Sequence, residues 1–165
     1  KRELKLIAPL REKSDFVIDT SHTSPNEPRL KLKSIFPLAN NRSIQIMLQS
    51  FSFRRGSLTG MDMVFDCRFL KNPNWVSSLK DLNGTDDEVK DYLRKDKSWA
   101  SFKKNILQML AIIIPAFERE GKSYLSIGLG CTGCQHRSVF VAAQLHKHLL
   151  EMKHDVKILH TSLQK

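Results

Sequence analysis

Residues 124–138, YLSIGLGCTGCQHRS, constrain the fold of this chain more than any other stretch. Tyr124 to Leu129 is a short apolar run that reads as a buried strand, and a helical apolar pattern starts at Val139. Between them stand Gly128, Gly130 and Gly133. A glycine turn joining a strand to a helix start brings backbone N–H groups and the positive end of a helix dipole to one point, which suits an anion. His136 and Arg137 fall in the first turn of that helix. Positive charge there opposes the dipole, so these cations need an anionic partner more than the helix needs them.

Such a unit belongs to an α/β fold, and the rest of the chain is read to match. A short amphipathic helix is predicted over 1–13 and a short buried strand over 15–20, then a helix through Leu30 and Leu32 capped by Ser24 or Asn26. The run FPLANN at 36–41 reads as a linker. It divides the chain into 1–38 and 39–165. Beyond it, 43–53 alternates with one slip, so a strand with a bulge is predicted, and 62–67 is a second strand. Asp86 is placed as the cap of a helix over 87–95 and Ser98 as the cap of a long helix over 99–120, kinked at Pro115 and stopped by Gly121. A helix over 138–152 and a strand near Val156–Leu159 complete the order. The fold expected is α/β, a three-layer-like mixed sheet flanked by helices, with the glycine loop at the carboxyl end of a central strand, where open α/β sheets bind ligands.

Composition bounds the partners. The chain has 165 residues, enough for one domain or one domain and a fragment, and 41% apolar residues, enough for a core. No apolar run reaches the ~18 residues of a membrane span. The sequence opens Lys1-Arg2-Glu3, with no signal pattern and no initiator Met, and is expected to be a piece of a longer protein. Lysine and arginine outnumber aspartate and glutamate 27 to 17, so polyanions are the expected partners: nucleic acid, anionic lipid or a phosphorylated ligand. Three cysteines, Cys67, Cys131 and Cys134, make no disulfide framework, which points to a reducing, cytoplasmic compartment.

The glycine loop matches four motifs at once. Gly128 to Gly133 is a literal G-x-G-x-x-G, but the acidic residue and the further βαβ units of a dinucleotide site are missing, since the next strand ends near His160. Cys131 and Arg137 have the C-x₅-R spacing of cysteine-dependent phosphatases, in which a thiolate attacks a phosphoryl group clamped by the arginine; Gly130 and Gln135 depart from the usual pattern, and Asp66 or Asp86 would have to be the acid. Cys131 and Cys134 form a CxxC that would suit a redox pair, whereas a zinc site lacks a fourth ligand, so no metal is expected. Finally, the loop suits a non-covalent anion receptor, with Thr132 and Ser138 supplying hydroxyls and His136 and Arg137 charge. The remaining reading is a structural turn with Arg137 in an internal ion pair.

Three longer runs carry a resemblance. GCTGCQHRSVFVAAQL at 130–145, SFSFRRG at 50–56 and MVFDCRFLKNPNW at 63–75 resemble, in order and spacing, motifs of the RapZ family of RNase adapters and nucleotide-binding proteins. The resemblance covers about 43–165 as that family's C-terminal domain, and 1–36 resembles the end of its P-loop domain. It implies a sensor and adapter rather than an enzyme. The implied partners are an amino-sugar phosphate, glucosamine 6-phosphate, together with RNA and an RNase, in a homo-oligomeric full-length protein. Carried over by position, the ligand residues are Thr132, Gly133, Cys134, Gln135, His136, Arg137 and Ser138, with Asp66, Arg68, Arg54 and Asn74. Lys147, Lys153, Lys157 and Lys165 are the implied RNA contacts. No G-x-x-x-x-G-K-[ST] occurs, so ATP or GTP is expected only with an upstream P-loop domain. Cys134, Asn74 and Ser52 stand where the family has glycine, histidine and glycine. Cys67, Trp75 and Trp99 are expected in the core, and His146, His148 and His154 at the surface.

Overall fold

The computed structural model describes residues 43–56, 60–133, 135–161 and 163, together with Pro9, Lys13, Ser14, Val17–Ser21, Glu27, Pro28 and Leu32. The chain divides into two compact units, 1–41 and 42–165. In the first, Pro9, Glu27, Pro28 and Leu32 are helical. Val17–Thr20 form no strand, and Val17 is 54% exposed, so the buried strand expected over 15–20 is not found at these positions. Most of the helix expected over 1–13, the caps Ser24 and Asn26, and the linker at 36–41 lie outside the described residues.

The second unit is built on four strands: β1 (Gln45–Ser52), β2 (Met63–Asp66), β3 (Tyr124–Cys131) and β4 (Val156–His160). Their order in the sheet is β2-β3-β1-β4. Every pairing among the described residues is parallel, so the sheet expected to be mixed is a parallel one there. Parallel neighbours need crossover connections, and three helices are part of these: α1 (Asp87–Arg94), α2 (Lys97–Arg119) and α3 (Arg137–Glu151). Of the two inner strands, β3 is covered on both faces and β1 is half-buried on one of them for most of its length. Seven of the eight residues of β3 are buried, which is why its sequence is a continuous apolar and small-residue run rather than an alternation. β1 alternates until Ser50 and then stays buried through Phe51 and Ser52, which accounts for the slip in its pattern.

The core joins Ile46 and Leu48 of β1, Leu125, Ile127 and Leu129 of β3, Phe140, Leu145 and Leu149 of α3, and Trp99, Ile106, Leu110 and Ile114 of α2. Trp99 packs on Phe140 with ring centroids 4.6 Å apart. A Cβ at Gly130 would come within 2.5–2.7 Å of the Phe53 and Phe51 rings, so any other residue there would force these rings to move.

Helix boundaries are set by caps that differ from those expected. Asp96, not Ser98, starts α2: its carboxylate accepts the Ser98 N–H at 2.9 Å and, across the loop, the Lys71 N–H at 2.8 Å. Asp86 does precede α1, but its carboxylate turns back to Asn83 and makes no capping bond. Pro115 lies inside α2 without ending it, and Gly121 follows with φ +75°, the left-handed stop expected of it. At the opposite end of the sheet from the glycine loop, Asp62 bonds the Ser126 N–H and hydroxyl and pairs with Lys122, latching β2 to β3.

Candidate anion-binding site

The register of the sheet gathers the site. Ser52 lies opposite Cys131, and Asp66 opposite Gly130. The carboxyl ends of β1, β2 and β3 therefore release the segments at Phe53–Arg54, Cys67–Arg68 and Thr132–His136 side by side. Residues of the first and third of these segments, with Asn72 and Asn74 of the turn after β2, line a pocket of about 150 Å³. Arg54, Asn74, Thr132, Gly133, Gln135, His136 and Arg137, all expected there, line it, along with Cys131. Asn72 lines it too and was not foreseen, although the N-P-N turn that contains it is a recognisable signal. No carboxylate is in the described lining, which carries two arginines and a histidine.

Arg137 is the centre of this arrangement. It opens α3 and is 7% exposed. Its Nη1 donates to the carbonyl oxygens of Arg68 (2.8 Å) and Leu70 (3.2 Å), and Nη2 approaches the Thr132 hydroxyl at 3.4 Å. These partners are neutral. Among the described residues no carboxylate lies within ion-pair distance of it, so the internal ion pair considered for Arg137 is not found there. Arg137 ties the loop after β2 to the loop after β3 and leaves a buried positive charge at the pocket floor. Such a charge is costly to bury without an anion to face.

The loop itself is clamped from behind. The His136 ring meets the Leu79 carbonyl at 3.1 Å, Gln135 donates through Nε2 to the Leu82 carbonyl at 2.8 Å, and the Gly84 N–H reaches the Gln135 carbonyl at 2.8 Å. Gly84 packs so closely that a Cβ would meet the His136 carbonyl at 2.2 Å and the Phe140 nitrogen at 2.4 Å. With its ring held at Leu79, His136, the residue that precedes α3, makes no side-chain capping bond to it. Ser52 fixes the start of the loop by donating to the Thr132 carbonyl at 2.6 Å. Gly133 is different from the other two loop glycines: a Cβ on it would meet nothing within 4 Å, and its φ is not positive. Neither packing nor backbone strain requires a glycine there, so open access to the backbone is what its missing side chain provides.

Asp66 and Arg68 form a forked pair, Arg68 Nε and Nη2 bonding the carboxylate at 2.6–3.0 Å. The Arg68 guanidinium also lies over the Phe53 ring at 4.5 Å. Arg68 is the main reason that the Asp66 carboxyl lies below the usual range, with Arg137 adding to it. The pair stands beside the pocket rather than in its described lining. Ser138, expected as a ligand, is fully buried, and its hydroxyl faces the Cys131 sulfur at 3.1 Å. Cys131 is buried at the end of β3 and packs against this hydroxyl. Cys134 and Lys165 lie outside the described residues. Lys147, Lys153 and Lys157 are exposed and away from the pocket lining. Cys67 and Trp99 are in the core as expected. Trp75 is not: it is 84% exposed, because Pro73 rather than the indole buries the turn. The histidines expected at the surface, His146, His148 and His154, are half-buried. No described helix is long and apolar enough to cross a membrane. Among the described residues no three His, Cys, Asp or Glu side chains gather where a metal ion could be held.

Comparison with known proteins covers nearly the whole chain. The model of the RapZ C-terminal domain matches residues 44–164. A nucleotide-binding protein of Cereibacter sphaeroides is 44% identical over 164 residues, 99% of this chain and 54% of that protein. Nucleotide-binding proteins of Roseobacter denitrificans and Dinoroseobacter shibae are each 45% identical over 98% of this chain, which covers 55% and 54% of them. The chain thus spans about half the length of the curated relatives it matches.

Proposed function

This chain belongs to the RapZ C-terminal domain family, and from that premise we propose that it is a non-catalytic sensor and adapter of the cytoplasm, which binds a phosphorylated metabolite in the pocket at the end of β3 and binds RNA. The ligand class is an amino-sugar phosphate, glucosamine 6-phosphate in the first instance. The observation that carries this reading is Arg137, a buried cation whose partners among the described residues are neutral acceptors, in a pocket whose described lining has no carboxylate. A phosphate entering there would meet Arg137 and Arg54, the N-terminal end of α3 and the bare backbone at Gly133. Asn72 and Asn74 offer amides suited to sugar hydroxyls. The net charge of +10 supports RNA as a partner, with Lys147, Lys153, Lys157 and Lys165 as its contacts. Recruitment of an RNase and homo-oligomerisation of the full-length protein complete the proposal. In this reading the nucleotide binding named for the relatives rests on a P-loop outside the half of them that this chain matches.

Calorimetry tests the pocket. Glucosamine 6-phosphate should bind, and Arg137→Ala should abolish the binding. Because Arg137 also bridges two loops, Gly133→Ala is the cleaner variant: its melting temperature should match the wild type while its affinity falls. Equal affinity in both variants would remove the phosphate from this pocket. Glucose 6-phosphate as competitor reads the contribution of the amino group. RNA binding should weaken steeply as salt rises, because each neutralised phosphate releases counterions.

A further inference from the structure

The exposed indole of Trp75 has no role in the fold described so far. It lies outside the core, and among the described residues no ring packs on it. Tryptophan is among the most apolar surfaces a chain can present, so 84% exposure on a well-built turn requires a reason. The turn is well built. The Asn72 side chain accepts the Asn74 N–H at 3.3 Å, Pro73 is buried, and the Trp75 and Val76 N–H groups close 3-10 bonds to Asn72 and Pro73. The indole is therefore presented from a fixed backbone rather than left over from a loose end.

Its neighbours define what it would meet. Residues 67–80 contain Arg68, Lys71 and Lys80 and no acidic residue. Arg68 is balanced by Asp66, but the Lys71 and Lys80 side chains carry their charge on exposed residues. Phe69, 47% exposed, is a second aromatic on the same segment, braced from behind by Phe102 at 4.6 Å. Asn72 and Asn74 of this turn face the pocket that also holds Arg54 and Arg137. Exposed aromatic faces interleaved with cations, one residue from an anion pocket, are the surface that single-stranded nucleic acid requires. Every base has a π-face to stack, and every step brings a phosphate.

We propose that the turn Asn72–Trp75 is a base-stacking platform, on which Trp75 takes an unpaired base of a single-stranded nucleic acid whose phosphates run past Lys71 and Lys80 toward the mouth of the pocket. This rests on the reading of the chain as RNA-binding, and it places sequence-tolerant contact on the segment after β2 rather than on the lysines of α3 and β4 alone. The occupant is a single strand and not a duplex, because stacking needs a base released from its pair.

The chain carries its own probe, since of its two tryptophans Trp99 is buried and Trp75 exposed. A titration with a 12-nucleotide oligoadenylate should quench the emission of Trp75, and a blunt RNA duplex of the same length should quench it far less. Trp75→Ala should weaken oligoadenylate binding about five- to one-hundred-fold by fluorescence anisotropy of a labelled strand, and Trp75→Phe should keep most of it. Calorimetric binding of glucosamine 6-phosphate should be the same in Trp75→Ala as in the wild type, since the indole is not part of the described pocket lining. Wild-type affinity for the oligomer in Trp75→Ala overturns the platform and leaves RNA binding standing. A wild-type chain that binds no oligomer overturns both. Quenching by anionic phosphatidylserine vesicles or by a polyglutamate peptide, with none by the oligomer, would assign the surface to a membrane or a protein and overturn the proposal.

Discussion

At the residue scale, the site depends on a few atoms that serve structure and ligand together. The Arg137 guanidinium donates to the buried Leu70 carbonyl and the half-buried Arg68 carbonyl, so its removal has a double effect. Arg137→Met should lower stability by about 1–3 kcal/mol in urea unfolding, the cost of stranded buried acceptors, in addition to losing the ligand. Gly84 makes an opposite case. It touches no ligand, yet Gly84→Ala drives a Cβ into the backbone at His136 and Phe140. Loss of about 1–3 kcal/mol is expected from such overpacking, with weaker phosphate binding, because the clamp behind the loop must shift. Comparing melting temperatures of Gly84→Ala and Gly133→Ala separates the two glycine roles: only the first should fall. For Cys131, the buried contact with Ser138 fits a packing role, and Cys131→Ser should leave phosphate binding in place. Turnover of an aryl phosphate by the wild type that vanishes in this variant would instead make the cysteine a nucleophile and the chain a phosphatase.

At the element scale, ends matter more than interiors. Asp96 starts α2 and at the same time anchors the loop after β2 through Lys71. Burial pushes its carboxyl up, but the N–H groups of Lys71 and Ser98 outweigh this and leave it below the usual range. A depressed carboxyl stabilises the fold above its unfolded value and loses that contribution as pH falls through the folded one. Stability should therefore drop below about pH 4, and Asp96→Asn should flatten that acid limb in a pH series of urea midpoints. His160, at the end of β4, works in a higher window. Burial first, and His146 on α3 second, hold its imidazole below the usual histidine value. The unfolded chain then takes up the proton before the folded one. Urea midpoints should fall as pH drops below about 6.5, and His160→Gln should lessen that fall.

At the scale of the whole molecule, the described core begins at Ile44, and the second unit begins at Arg42. A chain of residues 42–165 should therefore unfold in one cooperative transition and bind glucosamine 6-phosphate with the affinity of the full 165 residues. A broad, non-cooperative melt would show that the first unit contributes to the fold. The same scale explains why the pocket sits where it does. In a parallel sheet all carboxyl ends point one way, so three separate segments meet at one edge without any of them being adjacent in sequence.

Arg54, Asn74 and Gln135 were expected in the pocket from the family resemblance, whereas the α/β class, the strand and helix flanking the glycine loop, and the loop residues Thr132, Gly133, His136 and Arg137 could be read directly from the sequence. These rest on local rules: an apolar run of strand length, a glycine turn, helical spacing after Val139. What could not be read depends on partners distant along the chain. Gly84 meets His136, Asp96 meets Lys71, and Arg137 meets Arg68 and Leu70, pairs that no local pattern announces. Trp75 was expected inside because tryptophan usually is, and a buried proline two residues before it took that place. The sequence alone determined that a basic loop would stand at the end of a buried strand. Only the tertiary structure decided that its arginine would hydrogen-bond neutral carbonyls, because the sheet register brings the main chain of the loop after β2 against it, while the nearby Asp66 carboxylate is held by Arg68.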